Sequence, residues 1–262
     1  MKKQFIYIIS ILVLSCCKEN NRSQAKLEYY LNGKIKSKTI IVDGKKTVHN
    51  FFENNENVVK SIITEVNDTL SHAMYYDLGH NLKEEGDFYL DSLKIGKWKI
   101  YDTIGRASDV RDYILIENNS YLNQRWVMNQ DNDTIGGNYF LVKMKDTIDF
   151  GKVNRIYFLL KQPLFSEDSE AFVLLPKDGQ NLENDFSNQN EIEWDTIFSL
   201  ATKFESNQDL KFRNHDIVFD AYSKEKGKMN LKGILVEKEP GGDESVDFKT
   251  RNIYFDIPYF VK

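Results

Sequence analysis

Two cysteines, Cys16 and Cys17, stand side by side in the stretch VLSCCKENN, and the chain contains no third. Thiols offer a disulfide, a metal ligand or a covalent adduct. Cα atoms joined by one trans peptide lie about 3.8 Å apart, short of the usual disulfide span, and two thiolates fill only half of a tetrahedral zinc shell. Modification of one thiol is what remains. Hydroxyls form the second recurrent pattern. Asp68-Thr69-Leu70, Asp91-Ser92-Leu93, Asp102-Thr103-Ile104, Asp133-Thr134-Ile135, Asp146-Thr147-Ile148 and Asp195-Thr196-Ile197 all read acid, hydroxyl residue, branched aliphatic. Each hydroxyl is a candidate acceptor for a covalent group. The alternative is structural, because Asp closes turns and Thr-Ile opens strands.

The other familiar chemistries lack their residues. His49, His72, His80 and His215 are far apart and none has His-Glu-x-x-His spacing, so each reads as a surface or turn residue rather than a ligand. No Gly-x-Ser-x-Gly elbow, phosphate-cradling Gly-rich loop or dinucleotide fingerprint occurs, and no cysteine follows Cys17. Carboxylates are plentiful, but no two stand out as an acid and base pair for glycoside hydrolysis. DNDTIGG, from Asp131, opens like a calcium loop but carries Val142 where the twelfth position requires Glu. GGDESVD, Gly241 to Asp247, reads as a solvated acidic turn. The expectation is a protein without catalytic residues, metal or cofactor.

What positions the thiol is the amino terminus. Met1-Lys2-Lys3 precedes a run, Phe5 to Leu14, that is apolar except for Ser10, and small Ser15 sits before Cys16. This is the charged, apolar and cleavage pattern of a secretory signal, too short to span a bilayer as a helix. Lys18 to Ala25 is polar and free of aromatics, the composition of a flexible tether. A net charge of −5 makes the chain a poor counterion for phosphate, which argues against nucleic acid as a partner.

Val13-Leu14-Ser15-Cys16 resembles the lipobox of bacterial lipoproteins. The resemblance implies that Cys16 receives a diacylglyceryl thioether, that residues 1–15 are removed, and that the new amino terminus is acylated, with Cys17 a bystander. Two or three acyl chains make a stable membrane anchor where one does not. Lys18-Glu19 is similar to the surface-export signal of Bacteroidota lipoproteins; cell-surface and periplasm-facing positions on the outer membrane both stay open. The Asp-hydroxyl-aliphatic triplets resemble the O-glycosylation site of exported proteins of the same group, which implies glycans on Thr69, Ser92, Thr103, Thr134, Thr147 and Thr196.

Between tether and residue 128, aromatic pairs recur about every 22 to 25 residues: Tyr29-Tyr30, Phe51-Phe52, Tyr75-Tyr76, and Ile100-Tyr101 with one aliphatic member. Each unit reads as a strand ending in aromatics, a turn rich in Asn, Gly or Asp, and a returning strand. A lone hairpin cannot bury its face, whereas stacked neighbours share a ladder of rings. Trp98 and Trp126, near the ends of successive units, read as core between repeats, with a sugar-stacking platform as the alternative. YYLNGKIKSK and IGKWKIYDTIGR resemble MORN-variant hairpin repeats of bacterial proteins. The stretch Glu53 to Val66 is undecided between strand and short helix.

NQDNDTIGGN supplies a turn-rich boundary, and seven runs with strand character follow: Tyr139–Met144, Arg155–Leu160, Ala171–Leu175, Thr196–Leu200, Ile217–Tyr222, Leu231–Glu237 and Asn252–Val261. In the last, Pro258 requires an edge or a strand end. The expected organisation is a signal (1–15), a lipidated tether (16–25), β-hairpin repeats (26–128) and an immunoglobulin-like antiparallel β-sandwich (136–262), mostly β throughout. The function expected is that of a non-catalytic, lipid-anchored cell-envelope protein whose partners are the membrane and an unidentified envelope protein or glycan. A toxin-neutralising or immunity protein is the alternative that the repeat resemblance implies. A carbohydrate-active enzyme is the third class.

Overall fold

In the computed structural model the described residues are 24–203, 213–223, 225–239 and 249–262. Cys16, Cys17, the leader and the tether up to Ser23 lie outside them, as does the turn Gly241 to Asp247. The amino-terminal half is one antiparallel meander in which every strand lies beside its sequence neighbours. Its strands are β1 Gln24–Tyr29, β2 Ile35–Val42, β3 Lys45–Phe52, β4 Asn55–Glu65, β5 Leu70–Tyr76, β6 Leu82–Tyr89, β7 Leu93–Tyr101, β8 Ala107–Ile116, β9 Asn119–Met128 and β10 Thr134–Asn138. The undecided stretch resolves as β4, because β-branched Val59, Ile62, Ile63 and Thr64 pair with β3, and the last three with β5 on the other side as well.

The repeat period is set at the turns. The odd strands β1, β3, β5 and β7 end at the aromatic pairs, and along that margin three turns share one geometry. Asp77, Asp102 and Asn129 each accept, on Oδ1, two backbone N–H groups of their own turn, from Gly79 and Asn81, Ile104 and Arg106, and Asp131 and Asp133. The residue three positions on is left-handed: His80 (φ 62°), Gly105 (φ 80°) and Asn132 (φ 65°). Two-residue turns Asp43-Gly44 and Glu117-Asn118, with positive φ at both positions, close hairpins of the opposite margin in the type I′ pattern, and Leu90-Asp91, also with positive φ at both, opens the three-residue connection to β7. The expected ladder of rings is short: of the aromatic pairs, Tyr75 meets another ring, that of Trp98 at 6.4 Å. The hairpins join edge to edge instead, and the aromatic hydroxyls tie units together: Tyr30 donates to the Phe51 carbonyl (2.7 Å) and Tyr101 to Glu85 (2.6 Å). Burial and that carboxylate push the Tyr101 hydroxyl up to about 12.

A single sheet buries little by itself, and the core cluster of this one centres on Trp98. Its indole is fully buried on the face shared with Ala73, Phe88 and Ile63, at 4.9 Å from the Phe88 ring, and its Nε1 donates to the Asp87 carbonyl (3.0 Å). Room for it comes from Gly86, where a Cβ would lie 2.4 Å from the indole. Trp126 does not share this core. Trp98 pairs with Arg111 and Trp126 with the adjacent Val110, and successive strand residues point to opposite faces, so the two indoles lie on opposite sides of the sheet.

The sheet also runs past the boundary expected after Met128. Thr134–Asn138 returns along β9 because the Asn129 turn repeats the geometry of the earlier units, and Gly137 lies where a Cβ would be 2.1 Å from the Arg125 carbonyl oxygen. The remaining strands are β11 Phe140–Lys143, β12 Thr147–Ile148, β13 Val153–Leu160, β14 Glu170–Pro176, β15 Trp194–Phe198, β16 Asp216–Tyr222, β17 Gly227–Lys238 and β18 Thr250–Val261, with one helical turn, α1 Leu200–Lys203. Sheet β11-β13-β16 packs face to face on sheet β12-β18-β17-β14-β15. Ile156, Phe158, Val173, Ile217, Leu235 and Phe255 form the sandwich core.

The five-stranded sheet is buried on its outer face too, where Ile234, Val236 and Tyr254 meet Phe186 and Ile114 and Tyr121 of the meander. Burial on both sides explains why Gly233–Glu237 lacks period-two alternation. Pro258 faces no ladder on its second side, since β12 reaches only Phe260 and Val261.

Candidate functional site

The meander and the sandwich meet at β9 and β18, and a bulge makes the joint. Asp112 pairs with Gln124 but Tyr113 with Leu122, which leaves Asn123 as the extra residue of β9 and turns its side chain out of the ladder. The buried Asn123 carboxamide then imitates a strand: its Oδ1 accepts from Tyr254 N (2.8 Å) and its Nδ2 donates to Tyr254 O (2.9 Å). Arg251 clamps the same junction by donating to the Leu122 and Asn123 carbonyls (2.6 and 2.9 Å) and to the Tyr121 hydroxyl. The Tyr121 hydroxyl in turn donates to the Asn252 carbonyl (2.7 Å).

Beside this joint lies a cleft of about 520 Å³. β8 and β9 supply Asp112, Ile114 and Gln124, the β14–β15 connection supplies Asn184 and Phe186, and β18 supplies Tyr254 and Asp256. Burial pushes the Asp112 carboxyl above the usual carboxylate range, against the pull of the Asn123 amide and the Lys97 ammonium. Asp256 is held from one side by Asn230 Nδ2 (2.6 Å) and Lys232 (3.4 Å), and Lys232 also donates to Asn184 Oδ1 (2.7 Å). The cleft therefore offers carboxylate and carboxamide groups above an apolar floor. Such groups hydrogen-bond vicinal hydroxyls in pairs, and the excess of carboxylates repels phosphate and acidic sugars. A second groove, of about 420 Å³, lies on the Trp98 face between Lys46, Asn50, Glu65 and Asp91. It has Thr69 on its rim, so a glycan there would cover it.

One cluster has the residue types of a hydrolytic triad and the wrong wiring. Ser169, His215 and Glu237 are all buried, and Ser169 Oγ lies 2.9 Å from both His215 Nε2 and Glu237 Oε1, and 2.8 Å from the Ser166 carbonyl oxygen. Glu237 holds the serine hydroxyl itself, and which group donates in the His215 contact follows the imidazole tautomer. In a nucleophilic triad the carboxylate holds the histidine instead. Glu237 also accepts from Leu164 N (2.9 Å), Phe165 N (3.0 Å) and Asn138 Nδ2 (3.3 Å). The cluster ties the β13–β14 loop, the strand β17 and the last residue of the meander together. His215, expected at a surface or turn, stands in the turn before β16 but is buried there, and burial holds its imidazole below the usual histidine range.

Of the six hydroxyl residues singled out in the sequence, all are exposed. Thr69 and Ser92 lie on one margin of the meander, Thr103 and Thr134 on the other, and Thr147 and Thr196 on the two edge strands of the five-stranded sheet. The structure brings none of them into the cleft. Cys16 lies outside the described residues. Asp112, Asn123, Gln124 and Asp256 escaped the sequence reading, because each looks like any other polar residue of a strand; the only local signal is Asn123 breaking the alternation of Tyr121 to Trp126. No family model, curated protein or solved structure matches this chain.

Proposed function

We propose that this chain is a non-catalytic lipoprotein of the cell envelope, anchored at the outer membrane through Cys16, that holds a neutral, hydroxyl-rich glycan in the cleft between meander and sandwich. The observation that carries the reading is the convergence of Asp112, Gln124, Asn184 and Asp256 on one concave, apolar-floored site built by two β modules. The wiring of Ser169, His215 and Glu237 supports binding rather than hydrolysis, since the carboxylate holds the serine hydroxyl itself.

Soluble protein with Cys16→Ser, titrated calorimetrically against a panel of neutral and acidic oligosaccharides, is expected to bind at least one neutral member. Asp112→Asn with Asp256→Asn is expected to weaken it by tenfold or more, about 1.4 kcal/mol or above. Retention of no neutral glycan, or hydrolysis of one, would sink the reading. In membrane fractionation Cys16→Ser should move the protein to the soluble fraction and Cys17→Ser should leave it bound; the reverse would reassign the anchor. The six exposed hydroxyls fit O-glycan acceptors on the same protein. Intact mass of the mature form should then exceed that of the lipidated polypeptide by whole glycans, and equality of the two masses would remove them from the proposal.

A further inference from the structure

The meander ends at β1, and no strand covers its outer side among the described residues. The other sheet edges are poorer templates. β12 has two residues, β11 four, and β10 and β15 five, while on β16 the Val218 carbonyl is already taken by Lys203 Nζ (3.2 Å). β1 offers six residues, with Leu27 41% and Tyr29 57% exposed. An open edge of this kind pairs with any strand whose side chains fit it.

The sequence of the edge, QAKLEY, specifies a partner: itself. In an antiparallel pair about a two-fold axis through Leu27, Lys26 of one copy faces Glu28 of the other, twice, and Ala25 faces Tyr29. Centring the axis on Lys26 would set ammonium against ammonium, and centring it on Glu28 would set carboxylate against carboxylate; both cost stability in a cross-strand pair. Lys26 and Glu28 already pair within one strand at 3.2 Å, so the four charges would alternate in sign around the axis. We infer that β1 is a self-association edge, through which two copies join in antiparallel register centred on Leu27 and continue one sheet across both molecules. One strand edge buries less than the roughly 1,000 Å² of a stable interface, so the dimer fills at high local concentration, as on a membrane. The inference does not depend on the cleft or its ligand.

The test uses the full chain with both Cys16 and Cys17 changed to Ser. Sedimentation velocity from about 1 to about 500 µM should show a monomer–dimer equilibrium, in the range where weak interfaces dissociate. Adding Leu27→Cys should yield a disulfide-linked dimer on mild oxidation, because directly opposed Cα atoms of antiparallel strands lie about 4.5–5.5 Å apart, within disulfide reach. Lys26→Cys, opposed to Glu28 rather than to its own copy, should yield far less. Lys26→Glu should weaken association about tenfold, and adding Glu28→Lys should restore it, which a folding defect would not do. A monomer throughout the range, equal cross-linking at 26 and 27, or an unchanged dimer with Lys26→Glu would each overturn the inference.

Discussion

Trp98→Ala is expected to remove about 3–5 kcal/mol from the stability of the meander, the usual cost of truncating a fully buried indole. The magnitude follows from how little else this sheet buries. Among its described apolar residues Val58, Ala73, Phe88 and Trp98 are the buried ones, and the last three form one cluster. Around the indole, Lys94 lies 3.8 Å from the ring centroid and is itself paired with Glu84 (3.0 Å), so the truncation also loosens a cation over the ring and leaves the Asp87 carbonyl without its donor. Urea denaturation followed by far-ultraviolet circular dichroism should show the midpoint of the meander falling while a later sandwich transition stays in place. Trp98→Phe should recover part of the loss. A fall below about 1 kcal/mol would mean that the sheet is held by its turns rather than by this core.

Glu237→Ala is expected to cost about 3–5 kcal/mol as well, by a different mechanism. The substitution leaves Leu164 N and Phe165 N without an acceptor inside the sandwich, takes one of two acceptors from the Ser169 hydroxyl and from the Asn138 amide, and removes little apolar area. Glu237→Gln is nearly isosteric but turns an acceptor atom into a donor, and should fall between wild type and Ala. Thermal unfolding of the three proteins checks the order, and an Ala variant as stable as wild type would mean that water replaces the carboxylate at no cost.

The same cluster sets a pH dependence whose sign is fixed by His215. Burial, opposed by Glu237 and reinforced by Arg213, holds its folded value below the ordinary 6.5. The unfolded chain then binds a proton that the folded chain refuses. Stability should therefore decline as pH falls through 6.5 toward the folded value, and the decline from this group should stop once both states are protonated. His215→Gln should flatten that part of the profile. A slope that persists in the variant would assign it to other groups.

Local information was legible because its causes are local. Turn residues sit where backbone dihedrals demand them, which is why Asp77, Asp102 and Asn129 mark one margin of the meander and the aromatic pairs end its odd strands. Alternation along Asn252–Val261 foretold β18, and six further runs located the other long strands of the sandwich. The boundary was misplaced for a related reason: NQDNDTIGGN reads as a linker by composition, whereas its Asx turn and glycines serve one more hairpin. Sidedness was harder to read, since a bulge shifts every later side chain to the other face and a bulge leaves almost no trace in composition.

The sequence by itself determined that this chain is mostly β, where its turns fall and how its aromatic pairs are spaced. It did so because turn chemistry and period-two patterning act over a few residues. Only the tertiary structure decided what meets across long separations. Asn123 reaches Tyr254 over 131 positions, Asn138 reaches Glu237 over 99, and Ser169 finds His215 over 46. No local pattern encodes such encounters, because their energy comes from filling one another's hydrogen bonds in a core that exists only once the distant strands have come together.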